Sequence, residues 1–189
     1  MKGLLKGLAA FGFIATLGAT TARAQSLMTF GAGGGITIPS GSTSDALKTG
    51  WNAEGVFQYK PATSPVGLQI DGMYQQLKAS DAAIALDPTA DKSDIWSATG
   101  NVVFWFPVPK ETKVHPYILG GGGIYNLKFK ETTGADTSFT KFGINAGAGF
   151  DFDVQSNVAV FVEGRFHNVF ISGGNVHFIP ITAGFRFKT

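Results

Sequence analysis

Residues 50–77 read GWNAEGVFQYKPATSPVGLQIDGMYQQL. Two alternating runs flank a short stretch bounded by Pro61 and Pro65. In the first run Trp51, Ala53, Gly55, Phe57 and Tyr59 share one face, while Asn52, Glu54, Val56, Gln58 and Lys60 share the other. In the second, Val66, Leu68, Ile70, Gly72 and Tyr74 oppose Gln69, Asp71, Met73 and Gln75. Strict alternation is the signal of strands with one face in an apolar medium. The proline-bounded segment between them is a turn. The stretch is therefore an antiparallel hairpin, apolar on one side only.

Working outward, the same period recurs along the chain. It predicts eight strands, over 27–39, 50–60, 65–77, 94–106, 114–129, 139–153, 157–170 and 177–188. No sustained 3.6-residue apolar pattern follows Gln25. Away from the strand ends the apolar faces carry no charge. A slip of one residue would move Glu54, Asp71, Glu163, Arg165 and Arg186 to the apolar side, so the alternation pins the register. The connections at 40–49, 78–93, 130–138 and 171–176 fall at one end and include the three longest, while those at 62–64, 107–113 and 154–156 fall at the other. Long loops on one side and short turns on the other suit a barrel that crosses a membrane, long loops outside the cell.

Volume decides which face is outside. An eight-stranded barrel has an interior just wide enough for side chains to fill it. The apolar faces carry most of the Phe, Tyr and Trp residues and would overfill that space. The opposite faces are assigned Gly31, Gly33, Gly35, Gly120, Gly122, Gly143, Gly147 and Gly149, with isolated polar residues between. Apolar-out and polar-in is the membrane solution, because closure satisfies every backbone group without water. Trp51, Tyr74, Trp96 and Phe129 at the loop end, and Tyr59, Phe106, Tyr117 and Phe152 at the other, are expected to form two interfacial girdles.

The N-terminus has the features of an export signal. Lys2 and Lys6 precede a mostly apolar run, and Ala22-Arg23-Ala24 has the A-x-A cleavage pattern. The run is too short for a transmembrane helix. The expected organisation is a signal peptide over 1–24 and a barrel domain over 25–189. Of the 15 Lys and Arg residues, Lys2, Lys6 and Arg23 would leave with the signal, so 12 remain against 13 Asp and Glu. The basic balance of the whole chain thus gives no case for nucleic-acid binding. Cysteine is absent, so no disulfide contributes.

Three passages carry a resemblance. Pro116-Tyr117-Ile118-Leu119-Gly120-Gly121-Gly122, Gly143-Ile144-Asn145-Ala146-Gly147-Ala148-Gly149 and Ala183-Gly184-Phe185-Arg186-Phe187 resemble the small OmpA/OmpX-type outer-membrane β-barrels. The resemblance spans the mature chain. It implies an all-β, eight-stranded, antiparallel up-and-down transmembrane barrel in the outer membrane of a Gram-negative bacterium. It also implies a monomer in contact with outer-membrane lipids, including lipopolysaccharide, and delivered by the outer-membrane insertion machinery. That machinery reads an aromatic at the end of the last strand; here Phe187 is followed by Lys188 and Thr189. The chain ends at the barrel, with no periplasmic peptidoglycan-binding domain expected.

Within the barrel the candidate site is a polar network of Glu54, Asp71, Asn101, Asn145, Glu163 and Arg165 at mid-depth. The hairpin is expected to set Glu54 directly opposite Asp71. Facing carboxylates repel unless a cation lies between them, and the fork of Arg165 can bridge two. Such a network is either a solid polar core holding the barrel shut or a gate on a narrow ion pore. The glycine runs 31–35 and 120–123 continue into strands and lack the following helix that a phosphate loop needs. His115 and His177 are assigned outward and His167 inward, so no metal site or other cofactor is expected. Arg165-Phe166-His167-Asn168-Val169 loosely resembles the active strand of lipid A deacylases, but Val169 stands where their Ser follows the His. The function expected is non-enzymatic: envelope integrity or surface contact through the loops. The refolded mature chain should migrate differently on a denaturing gel before and after boiling; a chain soluble without detergent would contradict the fold.

Overall fold

The computed structural model describes residues 27–109, 111–131 and 137–189. The expected signal peptide, 1–24, lies outside the described residues. The elements are β1 (Leu27–Ser40), α1 (Thr43–Ala46), β2 (Leu47–Lys60), β3 (Val66–Ala79), α2 (Asp81–Leu86), β4 (Ala90–Trp105), β5 (Val114–Glu131), β6 (Thr137–Gln155), β7 (Val158–Ile171) and β8 (Gly174–Lys188). The strands form a closed barrel in sequence order, each antiparallel to its neighbours. β1 and β8 complete the ring from Thr29↔Lys188 to Ser40↔His177. Closure leaves no free edge, which is what allows strands to sit in hydrocarbon.

The alternation translates directly into inside and outside. Leu68 and Ile70 of β3, Trp96 and Val102 of β4, Phe142, Ile144 and Phe150 of β6 and Phe185 of β8 stand on the outer surface. Asn52, Glu54, Gln58, Gln69, Asp71, Thr99, Asn101, Glu163, Arg165 and Arg186 are buried inside. The ladders run past the expected boundaries at the loop end, so β3 reaches Ala79 and β4 begins at Ala90. Between them Ser80 caps α2 by accepting a hydrogen bond from the Ala83 amide at 3.0 Å. The turn at 172–173, with Gly173 at φ +92°, is tight although it lies at the loop end, and the connection at 106–113 is longer than it. The alternation of loop lengths is therefore less regular than the sequence implied.

One strand is assigned to the wrong faces by sequence. In β5 Tyr117, Leu119, Tyr125 and Leu127 point inward, and Ile118 and Ile124 outward. Gly121 and Gly123 thus lie on the lumen face, in place of Gly120 and Gly122. Tyr117, Phe129 and His115 share the inward parity instead of the outward one. The cause is that both faces of β5 carry large apolar residues and four glycines interrupt them, so alternation alone gives no direction. Its neighbours decide. A Cβ at Gly149 would overlap the Tyr117 ring, and one at Gly143 the Tyr125 ring. These glycines open the space the two tyrosines occupy.

Ile70→Arg places a guanidinium on the outer face near mid-strand. It should lower stability by about 2–4 kcal/mol in lipid, read as a shift in urea unfolding of the vesicle-inserted protein. An unchanged midpoint would mean that this face does not meet hydrocarbon.

Candidate functional site

The centre of the lumen is organised by two arginines. Arg165 projects from β7 beside Gly147 of β6, its Cα partner. A side chain at Gly147 would overlap both the Arg165 Cγ and the Gly164 carbonyl oxygen, so this glycine makes room for the arginine. The Arg165 guanidinium meets three carboxylates: Nη2 is 2.5 Å from Glu54 Oε1, Nη1 is 2.8 Å from Asp71 Oδ1, and Nε is 2.8 Å from Glu163 Oε1. Asp71 also accepts from Thr99 Oγ1 at 3.0 Å and from Asn101 Nδ2 at 2.7 Å. Three separate carboxylates at three positions around one planar cation match the donors that the guanidinium fork presents in a fixed plane.

Glu163 links this cluster to a second. Its Oε2 accepts from Tyr117 Oη at 2.7 Å and from Arg186 Nη2 at 3.2 Å. Arg186 Nη1 lies 2.5 Å from Asp151 Oδ1. The Arg186 guanidinium also sits over the rings of Phe161 (4.2 Å) and Tyr117 (5.1 Å), which adds cation–π attraction. Toward the end where β1 begins and β8 finishes, Lys188 pairs with Asp153, whose other oxygen is 3.1 Å from His115 Nε2. His115, Asp153, Lys188, Asp151 and Arg186 line a cavity of about 150 Å³ at that mouth, with Lys60 over the Trp105 ring beside it.

Toward the loop end the lumen changes character. Leu47, Leu77, Ile95, Tyr125, Leu127, Val169, Val176 and Phe178 form a buried apolar cluster. Tyr125 Oη lies 2.8 Å from His167 Nδ1, and the His167 ring stacks on Phe178 at 5.0 Å. Sequence reasoning missed this apolar layer, although Leu77, Ile95 and Val169 have inward parity near the ends of their strands.

The sequence-selected residues separate on inspection. Glu54, Asp71, Asn101, Glu163 and Arg165 come together. Asn145 is buried opposite His167 and makes no hydrogen bond to Arg165 or its carboxylates. Glu54 does not face Asp71: its partner is Met73, and that of Asp71 is Val56. Pro61 and Pro65 cannot donate to a ladder, so the regular pairing ends at Tyr59↔Leu68 and the hairpin centres later than the alternation suggested. The two carboxylates meet through Arg165 rather than across the strand pair. His177 has the expected outward parity and stacks on Phe166 at 5.5 Å.

The family model described as "Outer membrane protein beta-barrel domain" matches residues 9–188. The chain belongs to this outer-membrane β-barrel family. Among solved structures, this barrel is similar to Neisserial surface protein A, at 18% identity and TM-score 0.62, with 87% of this chain and 96% of that one covered. It is similar to OprG from Pseudomonas aeruginosa, at 10% identity and TM-score 0.59, covering 88% and 96%. It is likewise similar to the N-terminal barrel domain of Pseudomonas aeruginosa OprF, at 15% identity and TM-score 0.53, covering 87% and 97%. No curated protein matches. The barrel resides in the outer membrane of a Gram-negative bacterium.

Its chemistry is that of paired charges. Among the described residues no group of three His, Asp or Glu side chains is placed to hold a metal. His167 is enclosed in the lumen against Tyr125 and Phe178, where lipid cannot reach it, and Ser172, the nearest serine to it along the chain, lies in the exposed turn. A buried ion pair broken on one side costs about 3–5 kcal/mol because a charge is left unpaired. Arg165→Met should therefore destabilise the barrel by about that amount in urea unfolding from detergent. Adding Glu54→Gln to Arg165→Met should recover part of the loss. Unchanged unfolding of the single variant would show that the cluster contributes nothing.

Proposed function

We propose that this outer-membrane protein is a non-enzymatic, non-conducting barrel that contributes to envelope integrity and presents its loops for surface contact. The observation that carries this reading is the stacking of two kinds of obstruction in one narrow lumen. Arg165 ties β7 to β2 and β3 at mid-barrel, and the Tyr125–His167–Phe178 layer lies between that cluster and the loops. Hydrated ions would have to part both a charged cross-brace and an apolar layer. Apolar constrictions oppose ion passage by excluding water, and eight strands leave no room for a detour.

The loop-bearing end would face the cell exterior. The hydrogen-bonded cap of α2 and the Lys48–Asp81 ion pair at 2.6 Å give the 80–89 connection a defined shape. A defined loop on a rigid scaffold is a suitable surface for recognition.

Current through a planar lipid bilayer tests the reading. The purified mature protein, with insertion shown independently, should give no discrete conductance steps. Reproducible steps that change when Phe178 is replaced by Ala would instead establish a narrow pore passing through the apolar layer.

A further inference from the structure

The outer surface at the loop end carries a row of lysines set by strand register. Lys48 of β2 pairs with Lys78 of β3, Lys78 with Lys92 of β4, and Lys92 with Lys130 of β5. A register shift between Lys48 and Trp51 flips the end of β2, so that Leu47 enters the apolar layer and Lys48 turns outward with the others. Like charges directly opposite one another destabilise a sheet. Four in succession therefore call for anions.

The protein supplies them only at the flanks. Lys48 pairs with Asp81 at 2.6 Å, and Lys130 with Asp94 at 2.5 Å. Among the described residues neither Lys78 nor Lys92, the facing pair at the centre of the row, has a carboxylate partner. Asp87 is occupied by the Thr89 hydroxyl and amide, at 2.7 and 2.9 Å, which hold its carboxyl below the usual range. Asp91, next to Lys92, is exposed and makes no ion pair with it. On the outer face of the loop-end halves of β6, β7, β8 and β1 there is no Lys or Arg, so the feature is a sector rather than a ring.

Depth supports a membrane ligand. Trp51 packs edge-on to Tyr74 and Tyr74 lies tilted against Trp96 on the same three strands, with ring centroids 5.1 and 4.5 Å apart. Such aromatics mark the edge of the hydrocarbon. Lys78 and Lys92 lie four residues beyond Tyr74 and Trp96. At about 3.3 Å per residue and a strand tilt of about 40°, that is roughly 10 Å further along the membrane normal, at the level of the lipid headgroups.

We propose that Lys78 and Lys92 form a binding site for the phosphate of an outer-leaflet lipid headgroup, whose acyl chains lie along the Trp51–Tyr74–Trp96 strip. The site is independent of the lumen and of whether it conducts. The two ammonium groups neutralise the phosphate, and the phosphate removes their mutual repulsion.

Native mass spectrometry of the full mature chain in detergent, titrated with diphosphorylated lipid A, tests this. Lys78→Gln and Lys92→Gln should each weaken retention of the lipid about fivefold and the double variant roughly 25-fold, as expected for lysines at an anionic surface. Lys113→Gln, at the opposite end of the barrel, should leave it unchanged, and all variants should keep heat-dependent gel migration. Lipid A stripped of its phosphates should bind wild type and double variant alike. Equal retention of the diphosphorylated lipid by wild type and double variant would overturn the site. Displacement of the lipid by an equal concentration of inorganic phosphate would overturn its assignment to a lipid.

Discussion

The constraint on which everything else rests is that a backbone in hydrocarbon must satisfy its own hydrogen bonds. Eight strands do so by closing, and closure at that number leaves an interior one layer of side chains wide. Each inward residue then competes with those across from it. The glycines at 143, 147 and 149 are the counterparts of Tyr125, Arg165 and Tyr117, each large group lying where a neighbouring strand has no side chain. The two arginines follow from the same lack of space. Polar residues that turn from lipid have only one another as partners, so carboxylates and guanidinium groups are drawn into direct contact.

The lumen is consequently stratified. A mouth of mixed charge around Asp153, a doubly braced centre at Arg186 and Arg165, and an apolar layer around Phe178 succeed one another from the end where β1 begins to the loops. Glu163 is the joint between the two arginines, with one oxygen toward each. Buried ion pairs repay their desolvation only when every member is placed, so each charge in this series depends on the others.

Much of the barrel was legible in its alternation wherever one face is polar, as in β2, β3, β4, β6 and β8. β5 was not, because Tyr117, Ile118, Leu119, Ile124 and Tyr125 put bulk on both sides and only the adjoining strands choose between them. Arg165 was legible as an inward cation at mid-strand. The Arg186 cluster was not. Its partners come from β5, β6 and β7, and their relative depth depends on the stagger between strands, which alternation within each strand does not encode. The same lack of stagger led to Glu54 being placed against Asp71. The lysine row escaped notice for a related reason, since Lys48 joins it only through the irregularity that precedes Trp51.

The reach of Arg165 has a further consequence. Its contacts with Asp71 and Glu54 join residues 94 and 111 positions apart. They lie on strands that are not neighbours, so they can form only when the sheet has curled round on itself. Interactions absent from the transition state act on unfolding rather than on folding. Loss of the central charge cluster is therefore expected to shorten the life of the inserted barrel more than it slows assembly.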